Sequence, residues 1–144
     1  MSSSPIAGAP QQVRDLLAAA ARALLDAAGE PRAGERYARA HLAALRTAAA
    51  LLAARARPAG RRGGPSLRSA WSLLVEVAPE LSEWAAYFAA GAGKRVAAEA
   101  GLAGAVSERE ADDLVRDVEA FLALVAGTLG LPVPVVGHQL VLAG

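Results

Sequence analysis

The stretch that most limits how this chain can fold is residues 35–57, ERYARAHLAALRTAAALLAARAR, which contains neither Gly nor Pro. Only Thr47 in it is β-branched, and Ala, Leu and Arg are strong helix formers, so the stretch reads as one long helix. Tyr37, His41, Leu45, Ala48 and Leu52 recur at i, i+4, i+8, i+11 and i+15 and make one buried stripe. Arg39, Ala43, Arg46, Ala50 and Arg57 fall on the other side and carry positive charge towards solvent. Side chains that end at Cβ let neighbouring helices approach closely, which casts this segment as the central helix of a bundle.

The rest of the composition agrees. A chain of 144 residues can bury one core without staples. Hydrophobic residues make up 54%, but most are Ala and aromatics are only 4%, so a few large anchors must organise many small contacts. The absence of Cys excludes disulfides, thiolate catalysis and thiolate metal ligands, and suits a cytoplasmic protein. The opening MSSSPIAGAP lacks the basic and apolar regions of a signal peptide. Residues 120–142 carry no Asp, Glu, Lys or Arg, yet Gly127, Gly130, Pro132, Pro134 and Gly137 interrupt them. A membrane span needs about 20 apolar residues of unbroken helix, so no membrane partner is expected.

Charge is segregated along the chain. Residues 36–75 hold eight arginines and no acid, whereas residues 76–144 hold ten acids and four bases. Such asymmetry bears on partners rather than on fold. Either basic and acidic helices pack beside each other, within the chain or across a dimer, or the basic face meets an anionic ligand.

In chain order, residues 1–9 are Ser-, Pro- and Gly-rich and read as disordered. A first helix runs from about Pro10 to Ala28, with Val13, Leu16, Leu17, Ala20, Leu24 and Leu25 inward, and Gly29 ends it. The short link to the central helix implies an antiparallel hairpin. After Pro58 the loop PAGRRGGPS is Gly-rich and basic, but no strand precedes it and no Gly-Lys-Ser/Thr follows, so it reads as a linker rather than a phosphate cradle. A third helix covers residues 67–77, with Leu67, Trp71 and Leu74 inward. A fourth, opened by Pro79, reaches about Ala90 and buries Leu81, Trp84, Ala85 and Phe88, leaving Tyr87 partly exposed. Gly91 and Gly93 break it before a short helical piece at residues 94–100. Ser107 and Glu110 form an S-x-x-E capping box for a last helix ending near Leu129, with Glu108, Asp112 and Asp113 against its positive end. Residues 130–144 cannot remain helical through Pro132 and Pro134 and read as an extended tail, leaving residues 10–129 as the helical domain.

Few groups carry chemistry. His41 and His138 are the only histidines, and neither has a second ligand at i+3 or i+4, so no metal and no cofactor is expected. Asp113 and Asp117, at i and i+4 with Arg116 beside them, read as a solvated helix face before a Mg²⁺ pair. His41, on the apolar stripe, reads as a hydrogen-bonded core histidine.

The run YARAHLAALR with the Ala/Leu segment after it (residues 37–52) resembles the HEPN superfamily. More specifically, VAPELxEWAAxF (77–88), GAxKR (91–95) and READDLVRDxEAFL (109–122) are similar to a compact actinobacterial HEPN subfamily, over roughly residues 12–130. The resemblance implies an all-α, up-and-down bundle of four to five helices around a central helical hairpin, commonly a homodimer, often a binder of RNA or nucleotides. Catalytic relatives are metal-independent ribonucleases with an R-x4-6-H motif, which Arg36 and His41 match. Positions five apart on a helix diverge by about 140°, so those two converge on one phosphate only if Arg36 lies in the turn before the helix. The favoured reading is a non-catalytic module whose Arg39, Arg46, Arg55, Arg57, Arg61, Arg62 and Arg68 face RNA, a nucleotide or an acidic protein. A ribonuclease using Arg36 and His41 and a purely structural or regulatory dimerisation domain are the alternatives.

Overall fold

The computed structural model describes the backbone of residues 4–55 and 67–134, and the side chains of residues 11–55 and 70–134. Six α-helices and one 3₁₀ turn occur among these residues, with no strand. The helices are α1 (Ser4–Ala28), α2 (Ala33–Arg55), α3 (Leu67–Val77), α4 (Ser82–Ala90), α5 (Ala92–Glu99) and α6 (Glu108–Thr128), and the 3₁₀ turn Pro79–Leu81 leads into α4. The helix α1 begins at Ser4, ahead of the expected start near Pro10. Pro5 stands in its first turn, where a missing N–H costs little, and Pro10 lies inside the helix. The basic loop at residues 58–66, with Arg61 and Arg62, lies outside the described residues, as do Arg57 and the tail beyond residue 134.

Helix α2 lies at the centre, packed on α1, α3, α5 and α6. The expected stripe is buried or half-buried along its length, but burial goes further than its period implies. Ala43 and Ala50, expected on the outer side, are fully enclosed, together with Ala40, Ala44 and Thr47. A helix with neighbours on nearly every side has no broad outer face. Only a ridge of Glu35, Arg39, Arg46 and Ala49, and then the last turn, reaches water. Thr47 satisfies its hydroxyl by donating to the Ala43 carbonyl at 2.9 Å.

The large anchors gather in one place. Phe88 stacks 5.2 Å from Trp71 and 4.9 Å from Phe121, and Trp84 packs 5.4 Å from Phe121, joining α3, α4 and α6. Phe88 and Phe121 are fully buried, each contributing about 2–3 kcal/mol by removal from water. The capping box forms in full: Glu110 N–H donates to Ser107 Oγ and Ser107 N–H donates to Glu110 Oε1. Leu131 and Val133, at the start of the expected tail, pack against the core beyond α6.

Two sets of contacts give the helices their relative sense. Arg36, in the first turn of α2, meets Glu108 and Asp112, in the first turns of α6, so α2 and α6 run parallel. Gly91 lies against Tyr37 and His41 while Ala98 lies against Gly34, so α5 runs antiparallel to α2. That places the start of α2, the start of α6 and the end of α5 at one end of the bundle.

Candidate functional site

Arg36 is inside the helix, not in the turn before it: its N–H donates to the Arg32 carbonyl at 2.9 Å. Only 8% of the residue is exposed. The guanidinium lies among four oxygens, three of which accept a hydrogen bond from it. Nη2 donates to Glu108 Oε1, Nε lies 3.0 Å from Asp112 Oδ1, and Nη1 donates to the carbonyls of Glu30 and Pro31. One cation thereby ties the α1–α2 link to the start of α6. The two carboxylates also sit at the positive end of α6, where an anion is favoured.

His41 turns to a different set of neighbours. It is 2% exposed and wedged among Tyr37, Trp71 and Phe88, with ring centroids 6.3–6.5 Å away. Its Nε2 lies 2.7 Å from the Phe88 carbonyl, which can only accept, so Nε2 carries the proton. Nδ1 is then a buried lone pair with no partner among the described residues. Burial pushes the imidazole below its ordinary pKa, partly opposed by the Phe88 hydrogen bond, and nearby Arg95 pushes it down further. The motif pair thus faces two ways, Arg36 to α6 and His41 to α3 and α4.

A cavity of about 290 Å³ opens beside His41, between α2, α3 and the α4–α5 corner. Leu45, Trp71, Ala92 and Val96 wall it, and Arg95 lies at its edge. Arg95 is 6% exposed, and its Nη1 donates to both Glu99 oxygens at 3.0 Å. Its Nε, like Arg36 Nε and His41 Nδ1, is buried without a hydrogen-bond partner among the described residues. The sequence carried one signal for this pair, the i, i+4 spacing of Arg95 and Glu99, which reads as an ordinary surface pair until burial is known.

Gly91 closes the corner for a steric reason. A Cβ there would lie 2.7 Å from the Tyr37 hydroxyl, although the backbone, at φ −83°, is open to any residue. Beyond it Lys94 pairs with Glu110, which raises the Lys94 pKa and lowers that of Glu110. Tyr87, 46% exposed, donates to Asp117 Oδ2 at 2.6 Å; burial and that hydrogen bond hold its phenol well above the ordinary range. Arg116 pairs with Asp113 at 3.1 Å, so both members of the acidic i, i+4 pair are engaged. No cluster of three or more His, Cys, Asp or Glu placed to hold a metal occurs among the described residues.

The arginines of the acid-free segment divide. Arg39 is exposed and pairs with Glu30 at 3.2 Å. Arg55 donates to the Val77 carbonyl and pairs with Glu80 at 3.0 Å. Arg46 is exposed and has no ion-pair partner among the described residues, standing with Arg39 and Leu42 over a shallow hollow of about 180 Å³. The side chain of Arg68, on α3, lies outside the described residues, as do Arg57, Arg61 and Arg62. No described helix is long and apolar enough to cross a membrane.

An all-α bundle on a central hairpin, with a short helix pair and a capped closing helix, defines a HEPN-type domain. A family model described as SAV_6107-like HEPN matches residues 27–126, from the last turn of α1 to the last turn of α6. The chain belongs to that family. Neither a curated protein nor a solved structure matches it.

Proposed function

We propose that this HEPN chain is a non-catalytic binding module, acting as a cytoplasmic homodimer, which presents the arginines of its acid-free segment to RNA. The observation that carries the reading is a contrast of partners. Arg36 and His41, the pair matching the ribonuclease motif, are both engaged inside the fold. Arg46 stands in solvent on the exposed ridge of α2, and the same acid-free segment continues through Arg57, Arg61, Arg62 and Arg68. Guanidinium groups suit phosphate oxygens because their donors are planar and paired.

Filter binding of single-stranded RNA at two salt concentrations tests this. Each phosphate contact contributes about −0.7 to the slope of log K against log salt. Reversing Arg46, Arg61 and Arg62 to Glu should weaken binding and flatten that slope. Absent or salt-insensitive binding rejects RNA as the partner.

The second reading, a structural or regulatory dimerisation domain, draws support from Arg39–Glu30 and Arg55–Glu80, where acids of the same chain already meet the arginines. Unchanged binding after charge reversal at Arg61 and Arg62 favours it. A ribonuclease reading requires cleavage that persists in EDTA and disappears in His41→Ala with the fold intact.

A further inference from the structure

Helix α5 is held to the bundle differently from its neighbours. Of its eight residues only Arg95 and Ala98 are buried, so it sends no large apolar side chain inward. Helix α6, by contrast, anchors itself through Leu114, Val118, Phe121, Leu122 and Val125. Two cavities flank the seam between α5 and α2, one of about 460 Å³ beside Gly34, Ala38 and Ala98, the other of about 290 Å³ beside Leu45, Ala92 and Val96. Surface that faces a hollow forgoes its dispersion contacts, so the seam is thinly packed.

Hydrogen bonding does not make up the difference. Among the described residues, the one side-chain bond leaving α5 runs from Lys94 to Glu110, both partly exposed, where an ion pair contributes little. Arg95 pairs with Glu99 of the same helix, so that pair adds nothing to docking. Its buried Nε lacks a hydrogen-bond partner, a cost that water would relieve. Both ends of the helix are also loosely set. No side chain caps its start, and Gly101 and Gly104 beyond its end take φ of +75° and +76°, a region that glycine enters freely.

We infer that α5 is a strap that lets go of α2 while the other helices stay packed. Eight residues are too few to remain helical alone, so release and melting of α5 are one event. Release bares Gly34, which Ala98 covers in the closed form, and takes away the α5 wall of the larger cavity. Access to this face of α2 is therefore set by how often α5 is off. The strap lies beside the arginine ridge but does not depend on what the ridge binds.

Native-state hydrogen exchange of the unmodified full-length chain tests this. The amides of Arg95, Val96, Ala97, Ala98 and Glu99 should exchange about a hundredfold faster than those of Ala44, Ala48 and Leu51 in α2. All five should share one opening equilibrium with a shallow urea dependence, because little surface is exposed when α5 leaves. A staple then separates release from α2 from fraying in place. A Cβ at Gly34 would lie 3.7 Å from Ala98 Cβ, inside the range of about 3.5–4.5 Å that a disulfide spans. The chain has no cysteine of its own to compete. In the double variant Gly34→Cys, Ala98→Cys, oxidation should slow α5 exchange about tenfold, and reduction should restore it. Exchange of α5 only through global unfolding, with the rate and urea slope of α2, would overturn the inference, as would a staple that forms and changes nothing. The exchange measurement needs no variant, so it decides even where the stapled chain does not fold. Neither readout involves RNA, so the two proposals fail separately.

Discussion

Arg36 and His41 sit five residues apart on α2, both more than nine-tenths buried, and the fold surrounds one with oxygens and the other with aromatic rings. Both terminal nitrogens of the Arg36 guanidinium donate to oxygens of the α1–α2 link and of α6, while Nε lies 3.0 Å from Asp112 Oδ1 without a hydrogen bond to it. His41 spends one nitrogen on α4 and keeps the other free beside a cavity. The difference follows from what packs on each side. Arg36 faces a helix N-terminus, which favours acidic residues, whereas His41 faces an aromatic cluster with nothing to offer a lone pair. A buried cation ringed by oxygens from two elements ties those elements together, whereas an imidazole among rings serves mainly as packing with one hydrogen bond.

The largest effect should come from stripping Arg36 of its acids. Glu108→Ala combined with Asp112→Ala leaves a buried guanidinium with only the carbonyls of Glu30 and Pro31, and should cost about 2 kcal/mol in urea unfolding, less than a fully buried pair because both carboxylates are exposed. Arg36→Met should cost less, because the two carboxylates are exposed and return to water. If the ordering reverses, Arg36 is not the structural tie described above.

A smaller effect tests the corner that separates the two regions. Gly91→Ala drives a Cβ into the Tyr37 hydroxyl and should destabilise by about 1–2 kcal/mol. Tyr37→Phe, by removing that oxygen, should recover most of the loss in the double variant. A strictly additive pair would contradict the steric account.

The smallest effect concerns pH. The folded imidazole of His41 titrates below the unfolded one, so below about pH 6.5 the unfolded chain takes up a proton that the native chain refuses. Stability therefore falls as pH drops through that range, by up to about 1 kcal/mol over the first unit. His41→Gln should remove this part of the slope. An identical slope in both proteins would mean that His41 takes up its proton as readily in the fold as in the unfolded chain, against the burial described above.

Much of the fold is legible from local signals. The capping box at Ser107 and Glu110 locates the start of α6, because both partners of that exchange lie within four residues. The interval from Pro58 to Pro79 brackets α3, and the spacing of Trp71, Leu74, Ala85 and Phe88 marks sides that are indeed buried. Less legible was how far burial wraps α2. Ala43 and Ala50 look like outer-face residues by period alone, since Ala is compatible with either environment. Arg36 likewise counts as one more surface arginine until Glu108 and Asp112, seventy-odd residues later, arrive beside it.

From its residues alone, this chain was bound to be a set of Ala-cemented helices. Periodicity, caps and breakers act over a few residues and need no distant partner. Which arginines are consumed by acids, which nitrogen of His41 is occupied, and where a cavity remains were decided only when α4, α5 and α6 closed on α2. Those outcomes depend on pairs far apart in the chain, and a short-range pattern carries no record of them.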